Sequence, residues 1–187
     1  MRPAFVEPMV ASAEVVPTSG RDHIQGPVDA PIALLEYGDF ECPICGEAYP
    51  VVKAIQDRLG EQLCFAYRHF PLGNVHPHSQ RAAEAAEAAG AQRRFWPMHD
   101  LLFENQHALE GEDLIGYAES LELDVKRFAS ELDRGAYRTR VRTDFRAGVR
   151  HGVNGTPTFF INGTRYDGLR GLDPLLAALT PRAGFWG

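Results

Sequence analysis

The chain has 187 residues, of which 44% are hydrophobic and 24% are charged, and its formal net charge at pH 7 is −6. These values are ordinary for a globular domain with a sizeable core, and the acidic balance argues against a nucleic-acid or other polyanionic partner. Three cysteines are too few for a disulfide-stabilised scaffold of this length.

The first segment in chain order is an N-terminal arm, residues 1–22, in which prolines recur and no long apolar run forms. A secretory signal needs an apolar core of roughly seven or more residues, and a membrane span needs roughly twenty. Neither pattern is present in the sequence. We therefore expect a flexible arm, no contact with a membrane and a cytoplasmic location.

A strand and a helix come next, and they meet at two cysteines. The apolar run Ile32–Tyr37 predicts a buried strand, and Glu47–Leu59 has helical spacing. Between them lie Cys42, Pro43, Ile44 and Cys45, which place the first sulfur at the helix N-terminus. Unpaired backbone N–H groups and the positive end of the helix dipole favour a thiolate there. This position of a Cys-x-x-Cys motif indicates a dithiol redox centre.

The next elements are a second strand, predicted at Leu63–Arg68, and a long helical stretch from Pro77 to about Gly152. The stretch includes an alanine-rich helix that ends at Gly90. It separates two groups of strands, so we interpret it as an insertion at about residues 77–152.

Strands return near the C-terminus as a hairpin, Thr158–Ile161 and Thr164–Tyr166. The intervening Asn162 and Gly163 suit the two positive-φ positions of a tight hairpin turn. A last helix is predicted to begin near Asp173. The order of elements predicts a single α/β domain over residues 23–180, followed by a short tail at 181–187.

Three segments in this order resemble the thioredoxin superfamily, and within it the DsbA-like proteins. They are Tyr37–Cys45, Arg68–Leu72 and Val153–Gly163, and the resemblance extends from about His23 to Leu179. It implies a thioredoxin fold, which is a central mixed β-sheet flanked by helices, here with a helical insertion between its two halves. It also implies thiol–disulfide oxidoreductase activity on protein substrates.

The resemblance assigns catalytic roles to three residues. Cys42 is the expected nucleophile, and Cys45 would resolve the mixed disulfide that Cys42 forms with a substrate. Glu36, six residues before Cys42, would be buried beneath the cysteines and accept the proton of Cys45. The alternative for Glu36 is a solvent-facing side chain on an edge strand.

Four residues are expected to bind the substrate: Pro43, Ile44, Thr156 and Pro157. By resemblance, the Thr156–Pro157 peptide bond is cis and the Thr156 backbone pairs with an extended substrate segment. The Thr156 hydroxyl is expected to hydrogen-bond the sulfur of Cys42. Ile44 stands where strongly oxidising DsbA proteins carry histidine, which leaves the direction of catalysis open between reductase, oxidase and isomerase.

Other residues offer alternatives of lower weight. His76 and His78 would complete a zinc site with the two cysteines, but zinc sites usually show a second ligand pair at tight spacing. We expect no metal, and we expect the scattered histidines, His69 and His99 among them, at the surface or at helix caps. Cys64 is expected to fill core space. The arginines between Arg138 and Arg150 are expected to form a solvated helix face.

No cofactor is required, because the electrons reside in the two sulfurs. The expected partners are protein thiols and disulfides, with glutathione or a reductase to recycle the pair. Two alternative functions remain open on the sequence. One is a glutathione-dependent transferase or isomerase of the same fold, against which the cysteine pair counts. The other is a non-enzymatic, redox-sensing binding module.

Overall fold

A computed structural model describes residue 20 and residues 22–180 of the chain. The predicted C-terminal tail and nearly all of the predicted N-terminal arm therefore lie outside the described residues. The domain boundaries drawn from the sequence stay predictions.

The described residues form five strands: β1 (His23–Gln25), β2 (Ile32–Gly38), β3 (Leu63–His69), β4 (Thr158–Ile161) and β5 (Thr164–Tyr166). These strands make one sheet in the order β1-β3-β2-β4-β5. Strands β2 and β3 pair in parallel, and the other three pairs are antiparallel.

The central strands β2 and β3 are covered on both faces, which agrees with their nearly continuous apolar sequences. The predicted hairpin between β4 and β5 is confirmed, since Asn162 has φ 48° and Gly163 has φ 84°. Strand β1 was not predicted, because three residues carry too little alternation to indicate a strand.

Within the part of the chain that the structure describes, seven α-helices surround the sheet, and five of them lie between β3 and β4 in the sequence. The helices are α1 (Pro43–Leu59), α2 (Ser79–Gly90), α3 (Phe95–Glu104), α4 (Gly111–Ser120), α5 (Val125–Asp133), α6 (Arg138–Arg150) and α7 (Leu172–Leu179). Helices α1 and α7 pack on one face of the sheet, around Leu34 and Phe65. Helix α6 packs on the other face through Phe145, close to Phe70 and Tyr37.

Alanine makes α2 a buried helix, because its small side chains let α3 and α5 approach closely. Six alanines of α2 are at most 2% exposed, and the helix contacts α3, α5 and α6. The observed architecture is the mixed sheet flanked by helices that was predicted. Among the described helices, none has both the length and the apolar character needed to cross a bilayer.

Candidate active site

The two cysteines lie at the start of α1, beyond the C-terminal end of β2. Cys42 is the N-cap residue, in an extended conformation, and Pro43 opens the helix. The Cys42 carbonyl accepts hydrogen bonds from the N–H groups of Cys45 and Gly46, at 3.0 and 3.1 Å. Both side chains are free thiols, with Cys42 5% exposed and Cys45 fully buried. The structure therefore places Cys42 at the rim of the site and Cys45 beneath it.

The pKa values of the two thiols move in opposite directions. A hydrogen bond from the Cys45 thiol is the main cause that lowers the pKa of Cys42 to about 5, although burial opposes this shift. Hydrogen bonds from Thr156 and from the backbone N–H groups of Cys45 and Ile44 lower this pKa further. Burial raises the pKa of Cys45 well above its usual value, and the negative charges of Glu36 and Cys42 raise it further. At neutral pH, Cys42 is the thiolate and Cys45 the thiol.

Glu36 lies on the central strand β2 and is 3% exposed, so the solvent-facing alternative is wrong. Its neighbours across the sheet are Tyr67 on β3 and Phe159 on β4. Burial, reinforced by the negative charge of Cys42, raises the pKa of the Glu36 carboxyl to about 8. A carboxyl with this pKa exchanges protons near neutral pH, as a proton acceptor for Cys45 must.

The Thr156–Pro157 peptide bond is cis, and it lies against the Cys42 sulfur. The contact differs from the hydrogen bond expected, because the Cys42 sulfur lies 3.5 Å from the Thr156 carbonyl oxygen, to which the thiol donates when it is protonated. The buried Thr156 hydroxyl has no partner among the described residues. It helps to lower the pKa of Cys42, as a donor that turns towards a thiolate would. Of the other expected substrate-binding residues, Pro43 and Ile44 are exposed.

Gln106, in the segment after α3, holds the active-site loop and was missed by the sequence analysis. Its amide nitrogen donates to the carbonyl oxygens of Phe40 and Cys42, at 2.8 and 2.9 Å. A Cβ atom at Gly46 would lie 2.1 Å from the Gln106 amide oxygen, so a larger residue there would displace the Gln106 side chain. Nothing in the sequence near Gln106 indicates this contact.

Asp39, three residues before Cys42, is a buried anchor for the active-site loop. Its carboxylate accepts hydrogen bonds from the N–H groups of Glu41 and Leu72, both at 2.9 Å, and from Nδ1 of His76 at 2.8 Å. This contact ties His76 to Asp39 rather than to the cysteines. The expectation that His69 and His99 lie at the surface is wrong, since they are 1% and 4% exposed.

One group in the described part of the chain has the composition of a metal site: His23, His69 and Glu87, whose ligand atoms lie within 4.8 Å of one another. Both ring Nε2 atoms contact the same Glu87 oxygen directly, at 3.0 and 2.9 Å. The Nε atom of Arg140 lies 3.5 Å from that oxygen. A guanidinium at this distance repels a cation, so the group is better described as a buried hydrogen-bond network.

Tyr67 completes the buried side of the site. The residue is fully buried, and its hydroxyl has no partner among the described residues. Burial raises the pKa of Tyr67, and the negative charges of Cys45 and Glu36 raise it further. The hydroxyl therefore lies within the electrostatic field of Cys45 and Glu36.

Comparison with known proteins supports a thioredoxin-type chain. A family described as thioredoxin matches residues 18–180. BdbD from Bacillus subtilis superposes with a TM-score of 0.79 at 21% identity, covering 90% of this chain and 96% of that one. MdbA from Corynebacterium diphtheriae, a thiol-disulfide oxidoreductase, has a TM-score of 0.69 at 19% identity, covering 94% and 97%.

Similar sequences also occur within longer proteins named as antiporters. The chain is 48% identical over 160 residues to the Na(+)/H(+) antiporter NhaA 1 of Salinispora arenicola, covering 86% of this chain and 24% of that protein. It is 46% identical over 161 residues to the Na(+)/H(+) antiporter NhaA of Herminiimonas arsenicoxydans, covering 86% and 25%. The chain thus spans about a quarter of the length of these relatives. The family match and the superpositions show that the chain belongs to the thioredoxin superfamily and has the DsbA-like form of its fold.

Proposed function

We propose that the protein is a thiol–disulfide oxidoreductase that exchanges disulfides with protein substrates through Cys42 and Cys45. The observation that carries the proposal is the opposite shift of the two thiols, since the pKa of Cys42 is lowered to about 5 while that of Cys45 is raised. A thiolate at the rim beside a protonated thiol beneath it suits successive attack by the two sulfurs.

In the reductive direction, the Cys42 thiolate attacks a substrate disulfide. A Cys42–substrate mixed disulfide forms, and one substrate sulfur leaves as a thiolate. Cys45 then loses its proton to the Glu36 carboxylate and attacks the Cys42 sulfur. The Cys42–Cys45 disulfide forms, and the second substrate sulfur leaves as a thiolate. In total the substrate disulfide gains two electrons, and the two cysteines lose them. The oxidative direction is the reverse of these steps.

The substrate is proposed to lie between the exposed Pro43–Ile44 turn and the Thr156–Pro157 loop. The support is positional, since the Thr156 carbonyl is within hydrogen-bond distance of the Cys42 sulfur. An extended substrate segment that pairs with the Thr156 backbone would bring its own sulfur to the same place. Either glutathione or a reductase would recycle the pair.

The test is reduction of insulin disulfides by the protein with a thiol donor, followed as insulin precipitation. We expect turnover well above that of the donor alone, and turnover at the donor's own rate in Cys42→Ser. A Cys64→Ser variant is the matched control, because Cys64 is a buried thiol on β3 that the mechanism does not use. Equal rates with and without protein would refute the proposal.

A second candidate is a redox-switched module that changes its binding to a partner instead of turning over. Its support is the 48% identity to a segment that forms about a quarter of a protein named as an antiporter. Absence of insulin reduction, together with a redox-dependent change in oligomeric state, would favour this candidate. The cytoplasmic location stays a prediction.

A further inference from the structure

Helix α6 carries four arginines at four-residue intervals: Arg138, Arg142, Arg146 and Arg150. All four are exposed, whereas Arg140 is half-buried and pairs with Asp144. Residues four apart are neighbours on a helix surface, and the series turns gradually around the helix by about 40° at each step. The four side chains, here named the arginine row, extend over about 18 Å at 1.5 Å per residue.

The arginine row is largely uncompensated by acidic groups. Arg138 lies 3.7 Å from Glu84, but Arg142, Arg146 and Arg150 make no ion pair with any residue that the structure describes. Like charges at this spacing destabilise a helix. The row also stands out in a chain whose formal net charge is −6. Such a local field attracts an anionic partner.

A groove of about 330 Å³ adjoins the row, and it is lined by Pro71, Gln80, Arg138, Arg142 and Phe145. The groove is lined on its inner side by apolar groups, because Phe145 stacks on Phe70 with ring centroids 4.4 Å apart and Pro71 is buried. Two guanidinium groups beside an apolar floor suit a peptide that offers carboxylates and an apolar side chain together. A flat lipid surface or a phosphate backbone would not fill the groove.

Short chain segments connect both ends of this surface to residues of the active site. Pro71 precedes Leu72, whose N–H donates to Asp39 in the active-site loop. At the other end, Arg150 lies six residues before Thr156, whose carbonyl contacts the Cys42 sulfur. An extended peptide rises about 3.3 Å per residue, so roughly six residues would follow the whole row.

We propose that the arginine row and its groove bind an acidic segment of the protein whose cysteine reacts with Cys42. This inference rests on the proposed function and adds a substrate class to it. The preferred substrates carry several aspartates or glutamates near the reacting cysteine, with an apolar residue for the groove. Charge attraction then concentrates such substrates beside the thiolate.

Binding of a cysteine-free peptide tests the proposal without relying on redox chemistry. The probe is a fluorescein-labelled 12-residue peptide with four glutamates and one leucine, and matched peptides carry glutamine or lysine instead of glutamate. We expect the glutamate peptide to bind at least about fivefold more tightly than the glutamine peptide at low salt, and the preference to vanish at high salt. We expect the lysine peptide to bind more weakly than both.

A double variant, Arg142→Gln with Arg146→Gln, should remove the preference for the glutamate peptide. It leaves the contact of Arg138 with Glu84 intact. The matched control is Arg58→Gln with Lys126→Gln, which changes net charge equally at two exposed positions elsewhere. The control should keep the preference, and both double variants should react at the wild-type rate with bis(2-hydroxyethyl) disulfide, a small uncharged disulfide that offers no carboxylate to the row.

Equal binding of the glutamate and glutamine peptides would overturn the inference, as would equal losses in the two double variants. Vesicles with and without anionic lipid test the other source of negative charge. Row-dependent binding to anionic vesicles without binding of the glutamate peptide would overturn the peptide assignment. If the glutamate peptide binds through the row while insulin is not reduced, the row is a binding site for acidic peptides, but the proposed function fails and with it the assignment of such peptides as substrates.

Discussion

Cys42 and Cys45 are separated by two residues, yet they lie in chemically opposite regions. The rim contains Cys42, the exposed Pro43 and Ile44, and the backbone of Thr156, where hydrogen bonds to the sulfur lower the pKa of Cys42 to about 5. The floor contains Cys45, Glu36 and Tyr67, where burial raises every pKa. The pKa of the same type of side chain is therefore lowered in one region and raised in the other.

Helix geometry explains this difference. Cys42 precedes the first turn of α1, so its sulfur lies beside unpaired N–H groups at the positive end of the helix dipole. Cys45 lies on the inner side of the same helix, together with the buried Ala48, Val52 and Ile55. A separation of three residues therefore places one sulfur at the rim and the other at the floor.

Removing either sulfur should change the activity most, and the two removals should have different effects. We expect Cys42→Ser to lower insulin reduction by at least about a thousandfold, because it removes the nucleophile. Cys45→Ser should instead retain a reactive thiolate and accumulate mixed disulfides with substrate, detectable by mass spectrometry. Accumulation of mixed disulfides on Cys45 in Cys42→Ser would reverse the two roles.

Glu36→Gln should change the chemistry of the floor, which contains Cys45, and leave the Cys42 thiolate at the rim in place. Without a carboxylate to accept the Cys45 proton, we expect resolution of the mixed disulfide to slow by about a hundredfold. The rise in wild-type rate as pH increases through about 8 should disappear in the variant. Stopped-flow measurement of resolution across this pH range tests both points. A wild-type pH profile in Glu36→Gln would show that the carboxyl has no part in proton transfer.

The two regions should also have opposite effects on the pH dependence of stability. The pKa of Glu36 rises from 4.5 to about 8 on folding, so its contribution to the free energy of unfolding is full below 4.5 and is lost as pH rises through about 8. The pKa of Cys42 falls from 9.0 to about 5, so its contribution is full above 9 and is lost as pH falls through about 5. In the reduced protein these contributions offset each other between the two folded-state values.

Single variants should separate the two contributions. Between about pH 5 and 8, the reduced Cys42→Ser protein should lose stability as pH rises, because only the Glu36 contribution remains. The reduced Glu36→Gln protein should gain stability over the same interval. Urea unfolding at several pH values measures both slopes. Slopes of the same sign in the two variants would contradict the opposite pKa shifts.

Gln106→Ala should have the smallest effect on activity, because Gln106 holds the backbone of the active-site loop and hydrogen-bonds neither sulfur. The loss of two hydrogen bonds to the Phe40 and Cys42 carbonyls should lower the free energy of unfolding by about 2 kcal/mol. Urea unfolding measures the loss, with the exposed Glu119→Ala as a control that should change little. An unchanged free energy of unfolding in Gln106→Ala would show that these hydrogen bonds do not stabilise the fold.

Local patterns made much of the fold predictable. The apolar runs at β2 and β3, the Asn162–Gly163 turn and the proline after Cys42 each act within a few residues. The cis bond before Pro157 was expected only from the family resemblance, because a single sequence does not distinguish cis from trans there. The short strand β1 exists through its pairing with β3, which no local pattern records.

Contacts between distant residues made the rest of the site unpredictable. Gln106 lies more than sixty residues after the loop that it holds. His69 was expected at the surface, but it is buried because Glu87, on a later helix, supplies its partner. Polar residues in such networks have the composition of a surface, and only the fold shows that they are satisfied internally.

Redox exchange through Cys42 and Cys45 is best tested by the reduction potential of the pair, measured by equilibration in glutathione buffers with Cys45→Ser as the control. A Cys42 pKa of about 5 lies between the values of about 7 in thioredoxin and about 3.5 in DsbA. We therefore expect a potential between about −270 and −120 mV, the values of those two proteins. Failure of these two cysteines to form a disulfide at any glutathione ratio would contradict the proposed function.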